Sequence, residues 1–158
     1  MIALGIDPGT RRIGYGIVRK ERGETLFIAA GILKIESTED VPALHETKTG
    51  IDALIKKYKP DIFGIEKLFF AKNQKTALAV SQARGVILLA ARETGVFIKE
   101  YTPNEIKLGV TGYGSADKKA VLKMVQLILK KSDLKVIDDA SDALAVAILA
   151  CGERLPGD

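Results

Sequence analysis

Uncharged runs broken by glycine and proline set the pattern of the first third of the chain. Residues 2–6, IALGI, carry no charge and predict a buried strand that ends on an acid, Asp7. Pro8 and Gly9 turn the chain, and the alternation from Ile13 to Val18 predicts a second strand returning beside the first. After Gly23, Thr25 to Ile35 predicts a third strand, so the three form an antiparallel meander. Ser37 to Asp40 is polar, and Pro42 suits a first helical position. Leu44, Ile51, Leu54, Ile55 and Tyr58 then recur at helical spacing as far as Pro60. Asp61 to Glu66 is a short apolar strand that again ends in an acid.

A long helix from about Asn73 to Glu93 has few polar positions, which predicts cover on both faces, and Gly95 stops it. Val96 to Tyr101 predicts a fifth strand. Thr102, Pro103 and Glu105 form a capping box opening a short helix that ends before Gly112. Ser115 is placed to cap a helix from Asp117 to Lys130, and a last helix runs from near Asp138 to Cys151. The order βββαβαβααα predicts an α/β fold, a five-stranded mixed sheet flanked by helices. One domain over residues 1–158 is expected, with residues 152–158 as a tail.

Composition narrows the chemistry. At 158 residues the chain is long enough to bury roughly two-thirds of its unfolded surface. One cysteine, Cys151, excludes an internal disulfide and a thiolate zinc site, and one histidine, His45, in a segment of mixed charge, argues against a histidine triad. No apolar run is long enough for a membrane span, so a cytoplasmic protein is expected. The net charge of +4 leans toward a polyanionic partner. Between Lys67 and Arg92 there is no Asp or Glu, which argues for a basic surface there.

Four acids sit where stability does not ask for them. Asp7 and Glu66 end apolar strands, while Asp139 and Asp142 share a face of an otherwise apolar last helix. Asp7 could instead cap its own turn or pair with Arg11 or Arg12, and acids at a helix start also complement the helix dipole. If the two acid-ending strands are parallel neighbours, their carboxylates meet at the sheet's carboxyl edge, where α/β sheets place ligands. Such a cluster needs a cation to offset its repulsion, and oxygen-only donors select Mg²⁺ or Mn²⁺. On the residues alone, this cluster and four separate structural roles both remain open.

Taken in order, GIDPGT with the following RIGYG, the strand-end GIE, the stretch from FAKN to ALAVSQARGV, then GSADKKAV and DASDALAVAI resemble the RuvC Holliday-junction resolvases over nearly the whole chain. GIDPGT alone also resembles the first loop of actin-like and sugar-kinase ATPases, but those need a second domain for which the length leaves no space. A related nuclease acting on another structured nucleic acid is the other alternative. The resemblance implies a ribonuclease-H-like fold and a homodimer. It implies paired nicks in a four-way DNA junction during recombination and repair, leaving 5′-phosphate and 3′-hydroxyl ends. It implies Mg²⁺, with Mn²⁺ substituting and two ions per active site, and RuvA and RuvB as branch-migration partners.

Carried onto this chain, it makes Asp7, Glu66, Asp139 and Asp142 the catalytic and metal-binding acids, with Asp139 preferred to Asp138 because it keeps a three-residue step to Asp142. It makes Phe69 a base-stacking residue and Lys107 and Lys118 active-site lysines. Lys118 and Lys119 lie in a first helical turn, where cations complement a bound phosphate better than the helix dipole. Arg11, Arg12, Lys72 and Lys75 are further candidates for the DNA backbone, and the helix from Asn73 to Glu93 for the dimer interface.

Overall fold

Three antiparallel strands begin the chain: β1 (Ile2–Asp7), β2 (Arg12–Glu21) and β3 (Glu24–Lys34). The β2–β3 hairpin closes through Arg22 and Gly23, both at positive φ, a turn that suits the twist of paired strands. Then follow α1 (Asp40–Tyr58), β4 (Ile62–Glu66), α2 (Gln74–Glu93), β5 (Phe97–Tyr101), α3 (Pro103–Thr111), α4 (Lys118–Ile128) and α5 (Asp138–Ala150). The computed structural model describes residues 1–67, 74–136, 138–155 and 157, without the side chains of residues 74–76.

The sheet has five strands in the order β3-β2-β1-β4-β5, with β1, β4 and β5 parallel to one another. Alternation along the central strands feeds two cores. Leu4, Ile6, Phe63 and Ile65 pack with α1 and α2, while Ala3, Ile62 and Tyr101 pack with α3, α4 and α5. This is the expected mixed sheet between two helical layers.

A row of glycines seats α5. Gly5 is in register with Gly16 on β2 and with Gly64 on β4. A Cβ on Gly5 would collide with the backbone of Ala143 and Ala147, and one on Gly16 would come within 2.7 Å of Leu144 Cα. Ala140, Ala143, Ala147 and Ala150 present the matching small side chains, all buried. Gly14 and Gly16 therefore serve the approach of α5, while Gly9 lies in the turn, packed against the Arg12 carbonyl.

Three local expectations are corrected. Helix α1 starts at Asp40, so Pro42 is its third residue. Helix α4 is capped by Asp117, whose carboxylate accepts from Ala120 N at 2.8 Å, not by Ser115; the acid lies immediately before the helix. Helix α2 is covered on one side only, with Leu78 70% and Leu89 53% exposed. The capping box at Thr102 and Glu105 is present as expected. Among the described residues, no helix is long and apolar enough to cross a membrane.

Candidate active site

Strand register brings the first two acids together. Ile6 pairs with Ile65 in parallel, so Asp7 and Glu66, the next residues, leave the sheet side by side at its carboxyl edge. Asp7 also lies opposite Gly14 on β2, and the Asp139 carbonyl of α5 rests where a Gly14 side chain would be. The bare backbone at Gly14 thus lets the first turn of α5 come down beside Asp7, with Asp142 one turn further along. All four acids are half-buried, whereas Asp138 is exposed.

The electrostatics follow from that placement. Burial first, then the charges of Glu66, Asp142 and Asp139, push the Asp7 carboxyl up to about 8 against a small opposing effect of Lys118. Asp138 is not among the acids felt at Asp7. Glu66 is also raised, by burial and by Asp142, with Lys118 and Lys107 opposing. Neither Arg11 nor Arg12 pairs with Asp7. Arg11 donates to the Thr38 carbonyl at 2.9 Å and pairs with Asp40. Arg12 Nε donates to Asp139 Oδ2 at 3.2 Å, and Lys118 Nζ to Asp142 Oδ2 at 2.9 Å. The bond to Asp142 raises the Lys118 ammonium above its ordinary value.

Two of the four carboxylates are thus held by cations of the chain itself. Among the described residues, no three acidic, imidazole or thiol groups are gathered as tightly as a metal ion requires. The donor set still suits a hard divalent cation. Its oxygens come from four carboxylates without His or Cys, and the upward shift of Asp7 is a cost that such a cation offsets. Beside the acids lies a cavity of about 240 Å³ lined by Glu66, Asp142, Lys107 and Lys118 over an apolar floor that includes Ile106 and Val121. A larger depression of about 890 Å³ lies near Pro60, Thr94 and Phe97, at the opposite ends of β4 and β5, and is not where the acids meet.

The remaining candidates are spread more widely. Lys119 is exposed in the first turn of α4. Phe69 and Lys72 lie outside the described residues, as does the side chain of Lys75. The acid-free stretch from Lys67 to Arg92 does not form one basic face. Arg84 turns inward, where its Nε donates to the Glu66 carbonyl at 3.1 Å and its guanidinium pairs with Glu100, while Arg92 borders the far depression. In the sequence, Arg84 reads only as one of the positive charges of that acid-free stretch. Its signal was available, because it is the one charged residue between Ala77 and Ala91.

Residues 3–150 match the family model described as crossover junction endodeoxyribonuclease RuvC. The crossover junction endodeoxyribonuclease RuvC of Fusobacterium nucleatum is 44% identical over 151 residues, covering 94% of this chain and 78% of that one. The structure of Thermus thermophilus RuvC is similar with a TM-score of 0.85 at 28% identity, over 94% of this chain and 92% of that one. The same protein in complex with Holliday junction substrate gives a TM-score of 0.83 at 26% identity over the same shares.

Proposed function

The chain belongs to the crossover junction endodeoxyribonuclease RuvC family, and from that premise we propose that its acidic sheet edge is a metal-dependent nuclease site acting on four-way DNA junctions. The protein is an endonuclease of ribonuclease-H-like fold that resolves Holliday junctions. The observation that carries the site is the parallel register of Ile6 with Ile65, which sets Asp7 and Glu66 side by side beneath Asp139 and Asp142.

Asp7, Glu66, Asp139 and Asp142 are the residues that would hold Mg²⁺ or Mn²⁺, two ions being the count that suits four carboxylates with Asp7 at their centre. When bound, such ions supply Lewis acidity that eases deprotonation of the attacking water and offsets charge on the leaving 3′ oxygen. The chain's own residues do the rest. Lys107 and Lys118, at the mouth of the cavity, bind phosphate oxygens of the cleaved strand, and Lys119 extends that cationic rim. Lys118 exchanges its carboxylate partner for phosphate as DNA arrives. Phe69 stacks on a base near the cut, and Arg11, Arg12, Lys72 and Lys75 are secondary contacts.

Two opposed nicks call for two sites related by a two-fold axis, hence a homodimer. The exposed face of α2, with Leu78, Gly85 and Leu89, supports that helix as the interface. RuvA and RuvB are proposed as its partners at the junction.

Incubation with a mobile four-way junction and with linear duplex, with and without Mg²⁺, tests the reading. Symmetric nicks confined to the junction, with religatable 5′-phosphate and 3′-hydroxyl ends, are expected. Asp7→Asn should abolish cleavage while leaving junction binding and folding intact; normal Mg²⁺-dependent cleavage by that variant would overturn the assignment.

A further inference from the structure

We propose that Arg84 is a positioning residue for Glu66, holding the end of β4 so that the Glu66 carboxylate enters the acidic site from a fixed start. The inference rests on the reading of Glu66 as a metal ligand. Arg84 comes from an apolar stretch of α2, and its side chain is only 17% exposed. A guanidinium carries five N–H donors in a rigid fork, enough to serve two partners at once. Here one is the Glu66 carbonyl, at 3.1 Å, and the other the Glu100 carboxylate on neighbouring β5. The next amide, Lys67 N, donates to the Tyr101 carbonyl at 2.7 Å. The peptide that follows Glu66 is therefore pinned at both its oxygen and its nitrogen, one side by α2 and the other by β5.

Water would satisfy a strand-end carbonyl at little cost, whereas placing a charged group there requires desolvating it. That expense is explained if the position of Glu66 matters more than the hydrogen bond itself. Groups behind a metal ligand that orient it typically change metal affinity 10–100-fold when removed.

The experiment measures Mn²⁺ binding to the free protein by electron paramagnetic resonance, with thermal melting and junction affinity in Ca²⁺ recorded alongside. Arg84→Ala should weaken Mn²⁺ binding about 10-fold, with junction affinity unchanged. Glu100→Gln, which leaves the Glu66 contact but frees the guanidinium, should weaken it by a smaller factor. If Arg84→Ala does not fold, Arg84→Lys decides, because an ammonium cannot reproduce the fork. Unchanged Mn²⁺ binding in folded Arg84 variants overturns the inference when Glu66→Gln does weaken it. Unchanged binding in Glu66→Gln instead overturns the metal reading beneath it.

Discussion

Burial and three neighbouring carboxylates hold the Asp7 carboxyl up at about 8, against 3.8 for an unperturbed group. Between those values the folded, metal-free protein keeps a proton that the unfolded chain releases. The contribution of Asp7 to stability is then greatest below about pH 4 and falls as pH rises toward 8, with a limiting slope of about 1.4 kcal/mol per pH unit. Glu66, also raised, adds in the same direction. Thermal unfolding in chelator should therefore show a midpoint that drops between pH 5 and 8 and levels off above. Asp7→Asn should flatten that profile and melt higher than wild type at pH 8, and added Mg²⁺ should recover the loss only when Asp7 is present. Parallel profiles for the two proteins would mean that Asp7 is not the source of the cost.

At the scale of elements, the same kind of residue acts in opposite ways. Gly5, under α5, has backbone where a side chain would go, so Gly5→Ala forces the helix off the sheet and should cost about 3 kcal/mol or more, carrying Asp139 and Asp142 away with it. Gly85, on the exposed face of α2, has open space around it, and an alanine there should favour the isolated helix by about 1 kcal/mol. If the α2 face joins two protomers by close approach, Gly85→Ala should nevertheless weaken the dimer. Sedimentation equilibrium with thermal melting separates the two effects; an unchanged dimer constant would remove Gly85 from the interface. These elements also show what was legible in advance. The parallel pairing of β1 with β4 was only a condition until the register of Ile6 with Ile65 showed it, whereas acids ending apolar runs stood out because each breaks a local pattern. Gly14 and Gly16 did not, since they follow a true turn glycine and their reason lies on α5. The pairing of Arg12 with Asp139, 127 residues apart, leaves no trace in local spacing. Periodicity showed that α2 is apolar on more than one side, but which side stays open depends on where α1 packs.

Across the whole molecule, net charge predicts DNA affinity less well than where the cations are free. Of +4 overall, Arg84 is committed to Glu66 and Glu100, Arg11 to the start of α1, and Arg92 lies at the far depression. Lys107 and Lys118 differ because they share the cavity with Glu66 and Asp142, and the Lys118 side chain is 69% exposed despite its bond to Asp142. Each phosphate neutralised by a lysine adds about 0.9 to the slope of log affinity against log salt on duplex DNA. Junction binding measured in Ca²⁺ between about 50 and 200 mM salt, a range over which such contacts are readily resolved, should therefore lose slope when Lys107 and Lys118 are both changed to Met, by about 2 if each holds one phosphate. Lys59→Met, beside the far depression, should leave the slope as it is. Equal slopes for the double variant and wild type would mean that neither lysine touches phosphate, and the cationic rim of the site would then serve only to balance its acids.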